Sequence, residues 1–139
     1  MRLILSAVLF VMGLFYLFVG AGFIVNPVAA GIDFGLAGDG AKGLSTMRAD
    51  MTAFFYVGGG AMIWGAWKRR GDPLLVSAAL FGIAFIGRLV SYFADGPYPA
   101  WTGPMLIELV TVVVCLAAWW ILPDRKPAGD LLRQDRSGF

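Results

Sequence analysis

LLVSAALFGIAFIGRLVSYF occupies positions 74–93 and carries a single charge, Arg88. A bilayer core takes about 20 mostly apolar residues of helix, so this run is long enough to cross one. PMLIELVTVVVCLAAWWIL at 104–122 repeats the pattern, with Glu108 as its one charge. Toward the N-terminus, a glycine-rich run covers 47–67 and stops at Lys68-Arg69-Arg70. Another covers 3–25 and stops at Asn26-Pro27. Pro73 and Pro104 suit the first turns of the helices they open, where a missing N–H costs little. The reading is an all-α integral membrane protein. It is an antiparallel four-helix bundle, up-down-up-down, occupying 1–123 and followed by a polar tail at 124–139.

Composition agrees. The 139-residue chain is 59% hydrophobic and 14% charged, against about 25% charged in a soluble domain. It has too little polar surface to cover a water-soluble globule. The first run is too long for a signal peptide, whose apolar region spans roughly 7–15 residues.

Positive charge orients the chain. With the N-terminus inside, Arg2, Lys68, Arg69, Arg70, Arg125, Lys126, Arg133 and Arg136 fall on the cytoplasmic side, and Lys42, Arg48 and Arg88 on the other. Both termini are therefore read as cytoplasmic. Trp64, Trp67, Trp119 and Trp120 fall near the inner boundary, and Tyr92, Tyr98 and Trp101 near the outer one, as interfacial aromatic belts do. The inner connection at 68–73 is tight. The first outer connection, 26–46, is long and rich in glycine, and reads as a flexible surface loop.

Missing residue types exclude whole chemistries. There is no histidine, which removes His-ligated haem, the common zinc sites and His-based acid–base catalysis. Cys115 is the lone cysteine, so there is no intrachain disulfide or CxxC pair; it reads as a small core residue. No lysine lies within a span, against a retinal Schiff base. No cofactor and no metal are expected, and no basic patch interleaved with aromatics suggests nucleic acid.

Helices in lipid associate by close packing of small residues. Ser6, Gly13 and Gly20 recur every seven positions in the first span. Gly58, Gly59, Gly60, Ala61 and Gly65 serve the second, Ala78 and Gly82 the third, and Thr111, Cys115 and Ala118 the fourth.

Charges within a span cost about 2.5–3.5 kcal/mol each on insertion scales, and default to functional hypotheses. Arg88 lies about 7 Å from the outer end of its span and Glu108 about 6 Å from the same side, at 1.5 Å per residue. Arg48 and Asp50 open the second span at similar depth. Arg48 and Asp50 are two apart and do not share a face, so Arg48 is expected to join Arg88 around Glu108. Tyr92, Asp95 and Tyr98 would stand at the mouth. The set is either a staple that fixes which helices meet or a pocket in which arginines bind a carboxylate, phosphate or other polar head group.

Arg48-Ala49, Gly58-Gly59-Gly60, Gly87-Arg88, Asp95-Gly96 and Glu108 together carry a further likeness. The chain resembles a family of small bacterial four-pass membrane proteins known only as a domain of unknown function, over about Leu3 to Leu122. Where the family pattern often has an asparagine-glutamate pair before the first arginine, Ser45-Thr46-Met47 stands here. The resemblance implies a four-helix fold in a bacterial inner membrane and supplies no activity.

Three functions fit these residues. The first is a small binding or accessory protein whose partners are membrane lipid, further copies of itself or a larger membrane complex, and a small amphipathic or anionic ligand. The second is an intramembrane enzyme on a lipid-like substrate, with Glu108 as general acid or base and the arginines stabilising an anion. The third is a small transporter, whose pathway four helices would form only between subunits.

Overall fold

The structure is a computed structural model and describes residues 1–122. The tail at 124–139 lies outside the described residues. Six α-helices follow one another: α1 (Arg2–Val25), α2 (Pro27–Ile32), α3 (Gly40–Thr46), α4 (Thr52–Lys68), α5 (Asp72–Asp95) and α6 (Thr102–Ile121). A five-residue π-helical turn, Met47–Met51, joins α3 to α4. The described residues contain no strand.

α1, α5 and α6 are each long and apolar enough to cross a membrane. Only a minor share of each is buried inside the protein. Leu3, Ile4, Val11, Phe15 and Phe18 of α1 all face outward. Apolar surface of that extent belongs against lipid or another protein rather than water. α4 is shorter, at 17 residues. The expected second span, 47–67, is therefore α-helical only from Thr52, and its first turn is the π segment.

The long helices meet through the small residues. The buried stripe of α1 is Ser6, Leu9, Gly13, Tyr16, Gly20 and Phe23, a spacing of three and four that keeps one helix face inward. Gly13 faces Gly59: a Cβ on Gly13 would lie 2.8 Å from the Gly59 carbonyl oxygen, and one on Gly59 would lie 2.7 Å from the Gly13 carbonyl oxygen. Each glycine thus admits the other's backbone. Phe10 meets Trp67 at one end and Gly20 meets Phe55 and Tyr56 toward the other, so α1 and α4 run antiparallel. Ser77 donates a 2.7 Å hydrogen bond to the Gly58 carbonyl, and Gly65 sits under Leu74. α4 and α5 are antiparallel too, joined by a tight turn. Arg69 ends α4 in the left-handed conformation (φ 51°), and Arg70 N–H reaches back to the Gly65 carbonyl. α6 buries Met105, Glu108, Thr111, Cys115 and Ala118 on one stripe.

The connection at 26–46 is not the flexible loop expected from its glycines. Asn26 caps α2 by accepting from the Ala29 N–H, and Pro27 opens it. The residues that stop α1 therefore also start a new helix. Gly35 (φ 67°) turns the chain, and the Leu36 N–H bonds to the Gly31 carbonyl. Phe34 packs against Phe23 and Phe55, with ring centroids 5.3 and 5.5 Å away. Aromatic contacts of this kind add about 0.5–1.5 kcal/mol beyond area burial, enough to hold a short segment down.

Candidate functional site

The packing of α5 changes along its length. Leu74, Ser77, Ala78 and Phe81 are buried, and nothing beyond Phe81 is. At that far end a cavity of about 700 Å³ opens. Ala84, Gly87, Arg88 and Ser91 line it from α5, and Ile32–Gly35 from the connection after α2. Tyr98, Pro99 and Pro104 complete it from the α5–α6 connection and the start of α6. The volume lies within the roughly 300–1,000 Å³ usual for small-molecule sites.

Arg88 is fixed from behind. Its Nε donates a 2.7 Å hydrogen bond to Glu108 Oε1, across the α5–α6 pair. Nη1 lies 3.5 Å from the Tyr98 hydroxyl. Nη2 makes no hydrogen bond among the described residues. Glu108 is buried, with 9% of its side chain exposed against 28% for Arg88. The pair thus presents a guanidinium toward the cavity and keeps its carboxylate inside. Glu108 Oε2 is buried without a hydrogen bond among the described residues. An unmet acceptor of this kind costs about 1–3 kcal/mol, more when charged, so a donor there would be stabilising.

One turn deeper, Thr111 donates to the Ile107 carbonyl, which commits its only proton. Tyr16 therefore donates to Thr111 Oγ1, tying α1 to α6 beneath the ion pair. Tyr16 also stacks within an aromatic group of Phe55 and Phe81.

The structure brings Arg88, Glu108 and Tyr98 together and places the other expected residues elsewhere. Arg48 does not face Glu108. Its Nε donates to the Ile24 carbonyl, at the end of α1, 3.2 Å away. There it satisfies an end carbonyl and sits at the negative pole of the helix dipole. The π turn and the α1–α4 packing aim Arg48 at α1. Asp50 is exposed and makes no ion pair or hydrogen bond among the described residues. Tyr92 packs on Trp101, centroids 4.7 Å apart, outside the cavity. Asp95 accepts a 2.7 Å hydrogen bond from Ser91, which lines the cavity. Asp33 and Phe34 were not anticipated as wall residues. The Asn26-Pro27 helix-start signal was the clue that this segment is ordered. Among the described residues, no group of three or more Cys, Asp or Glu side chains is placed to hold a metal ion.

Residues 4–123 match the family described as Domain of unknown function (DUF4345). The chain belongs to this family. The match reaches into all six helices and covers the positions that line the cavity. No curated protein and no solved structure matches the sequence.

Proposed function

We propose that this chain is a small binding protein of the membrane, which receives the polar head of an amphiphile in the cavity at the far end of α5. The observation that carries the reading is Arg88: a guanidinium in the cavity wall, oriented by a buried carboxylate and with donors left over. Arginine so held suits a phosphate or carboxylate. The chain would cross the membrane four times as an up-down-up-down bundle, with α3, the π turn and α4 together as the second pass. Both termini would be cytoplasmic and the cavity would face outward. The positive residues expected on the inner side and the family resemblance support a bacterial inner membrane. The enzymatic reading called for a second arginine beside Glu108, and Arg48 is engaged at the end of α1. Transport would require a path between several copies.

A second reading has its own support. The 2.7 Å bond from Arg88 to buried Glu108 ties α5 to α6 and would act as a staple without any ligand. Native mass spectrometry of the gently extracted protein separates the two. Binding predicts multiples of the 14.9 kDa chain carrying a small adduct that Arg88→Ala loses while the fold persists. A staple predicts that Arg88→Ala fails to accumulate and that the wild type carries no adduct. For topology, single cysteines at Asp39 and Lys68 should label from opposite faces of sealed vesicles; labelling from one face would sink the four-pass arrangement.

A further inference from the structure

The cavity holds two charged side chains, and they face it from different walls. Arg88 comes from α5 and Asp33 from the connection after α2. Arg88 already shares its charge with Glu108, 2.7 Å away. Counting the buried partner, one guanidinium stands with two carboxylates. Asp95, bonded to the wall residue Ser91, adds a third acidic group near the rim. A purely anionic guest would meet a net negative surround. A guest with separate positive and negative groups would match both walls.

The Asp33 side also has the features that favour a cation. Phe34 lines the cavity with it. Phe34 is fixed by its packing on Phe23 and Phe55. An ammonium is attracted to an aromatic face as well as to a carboxylate. On the Arg88 side, Gly87 leaves open space where a side chain would stand.

We infer that the cavity selects a zwitterionic amino-phosphate group, its phosphate on Arg88 and its ammonium beside Asp33 and Phe34. This rests on the proposal that the cavity binds a polar head group, and it names that group's class. Ile83, Ile86 and Val90 are exposed on the same stretch of α5 as the wall residues Ala84, Gly87 and Ser91. An acyl chain could follow them, so the group fits a phospholipid head. The same chemistry would also accept free phosphoethanolamine.

The test is native mass spectrometry of the full chain in detergent, with dioleoyl phosphatidylethanolamine, dioleoyl phosphatidylglycerol and free phosphoethanolamine as probes. Helicity and elution volume serve as the fold control. The wild type should retain the ethanolamine lipid over the glycerol lipid. Asp33→Asn removes an exposed carboxylate and should lower that preference about fivefold, the size of a part-exposed charge contact. Arg88→Gln should cut retention of both lipids. If that variant does not fold, Arg88→Lys keeps the charge, loses the planar fork and should weaken both lipids less. Displacement of the lipid by free phosphoethanolamine would assign the site to the soluble molecule, and retention against it would assign the lipid; either supports the inferred chemistry. Equal retention of the two lipids, or a preference that Asp33→Asn leaves unchanged, overturns the inference. If Arg88→Gln still removes both lipids in that case, the head-group proposal stands without the zwitterion. If a folded Arg88→Gln retains both lipids, both proposals fall.

Discussion

The two halves of α5 are built for different purposes. From Leu74 to Phe81 it is locked against α4, where glycines let backbone and side chains close to contact distance. From Gly82 to Asp95 it buries nothing, and its inward residues line a cavity. The glycines at the two halves, on α4 facing the first and on α5 itself in the second, differ in the same way. In the packed region, a Cβ on Gly65 would lie 2.6 Å from Leu74, and one on Gly58 2.9 Å from Phe81. In the open region Gly87 has nothing within 4 Å of that position. One residue type therefore serves close approach in the first half and leaves room in the second.

The sharpest way to break this comparison is to fill the packed region. Gly59→Val places a branched side chain where the Gly13 carbonyl oxygen lies. Nothing flexible can move aside, because the obstacle is backbone. Overpacking of this kind costs about 1–3 kcal/mol and sometimes more, and here it should reach the upper end. The variant should fail to accumulate, or should melt well below the wild type in detergent. An unchanged melting temperature would mean that α1 and α4 are not in the contact described.

Next in size is the ion pair that borders both regions. Glu108→Leu leaves Arg88 without its carboxylate. Removing one partner of a buried pair costs about 3–5 kcal/mol, but Arg88 is more than a quarter exposed, so about 2 kcal/mol is expected from the same principle after screening. Thermal unfolding of Glu108→Leu beside the double variant Glu108→Leu/Arg88→Leu would check it. The double variant should recover part of the loss, since no lone charge remains. Recovery of none would mean that the pair does not couple α5 to α6. Smaller again is Tyr16→Phe. It removes the donor to Thr111 and keeps the ring, for about 1 kcal/mol, and it should leave lipid retention within about twofold because Tyr16 lies below the cavity.

Much of this arrangement is legible in the chain. The seven-residue recurrence of Ser6, Gly13 and Gly20 marks the buried stripe of α1, because only small residues let helices approach closely in lipid. The equal depths of Arg88 and Glu108 announce their meeting, since both helices enter the same end of the fold. Depth alone fails for Arg48. It gives height along a helix and not direction around it, and a π turn resets direction between α3 and α4. In the connection at 26–46 the glycines suggest a loop, while the Asn26-Pro27 signal starts a helix. Its order comes from Phe34 packing into rings of α1 and α4, which are more than ten residues away along the chain. Local composition does not report such contacts, so the wall that supplies Asp33 could not be foreseen.

The smallest expected effect tests the open half directly. Gly87→Ala adds a methyl group where there is open space, on an exposed turn of α5. Within a helix, replacing glycine by alanine removes backbone freedom from the unfolded chain and gains about 0.5–1 kcal/mol. With no clash to offset that gain, the melting temperature should rise slightly. Gly59→Ala, the same change at the α1–α4 contact, should lower it. Gly87 lines the cavity next to Arg88 in sequence, so a methyl there should narrow the space for a guest, and retention of the ethanolamine lipid should fall even as stability rises. Opposite signs for stability and binding in one variant would show that the room beside Arg88 is kept for occupancy. A gain in stability with unchanged retention would place the guest elsewhere in the cavity.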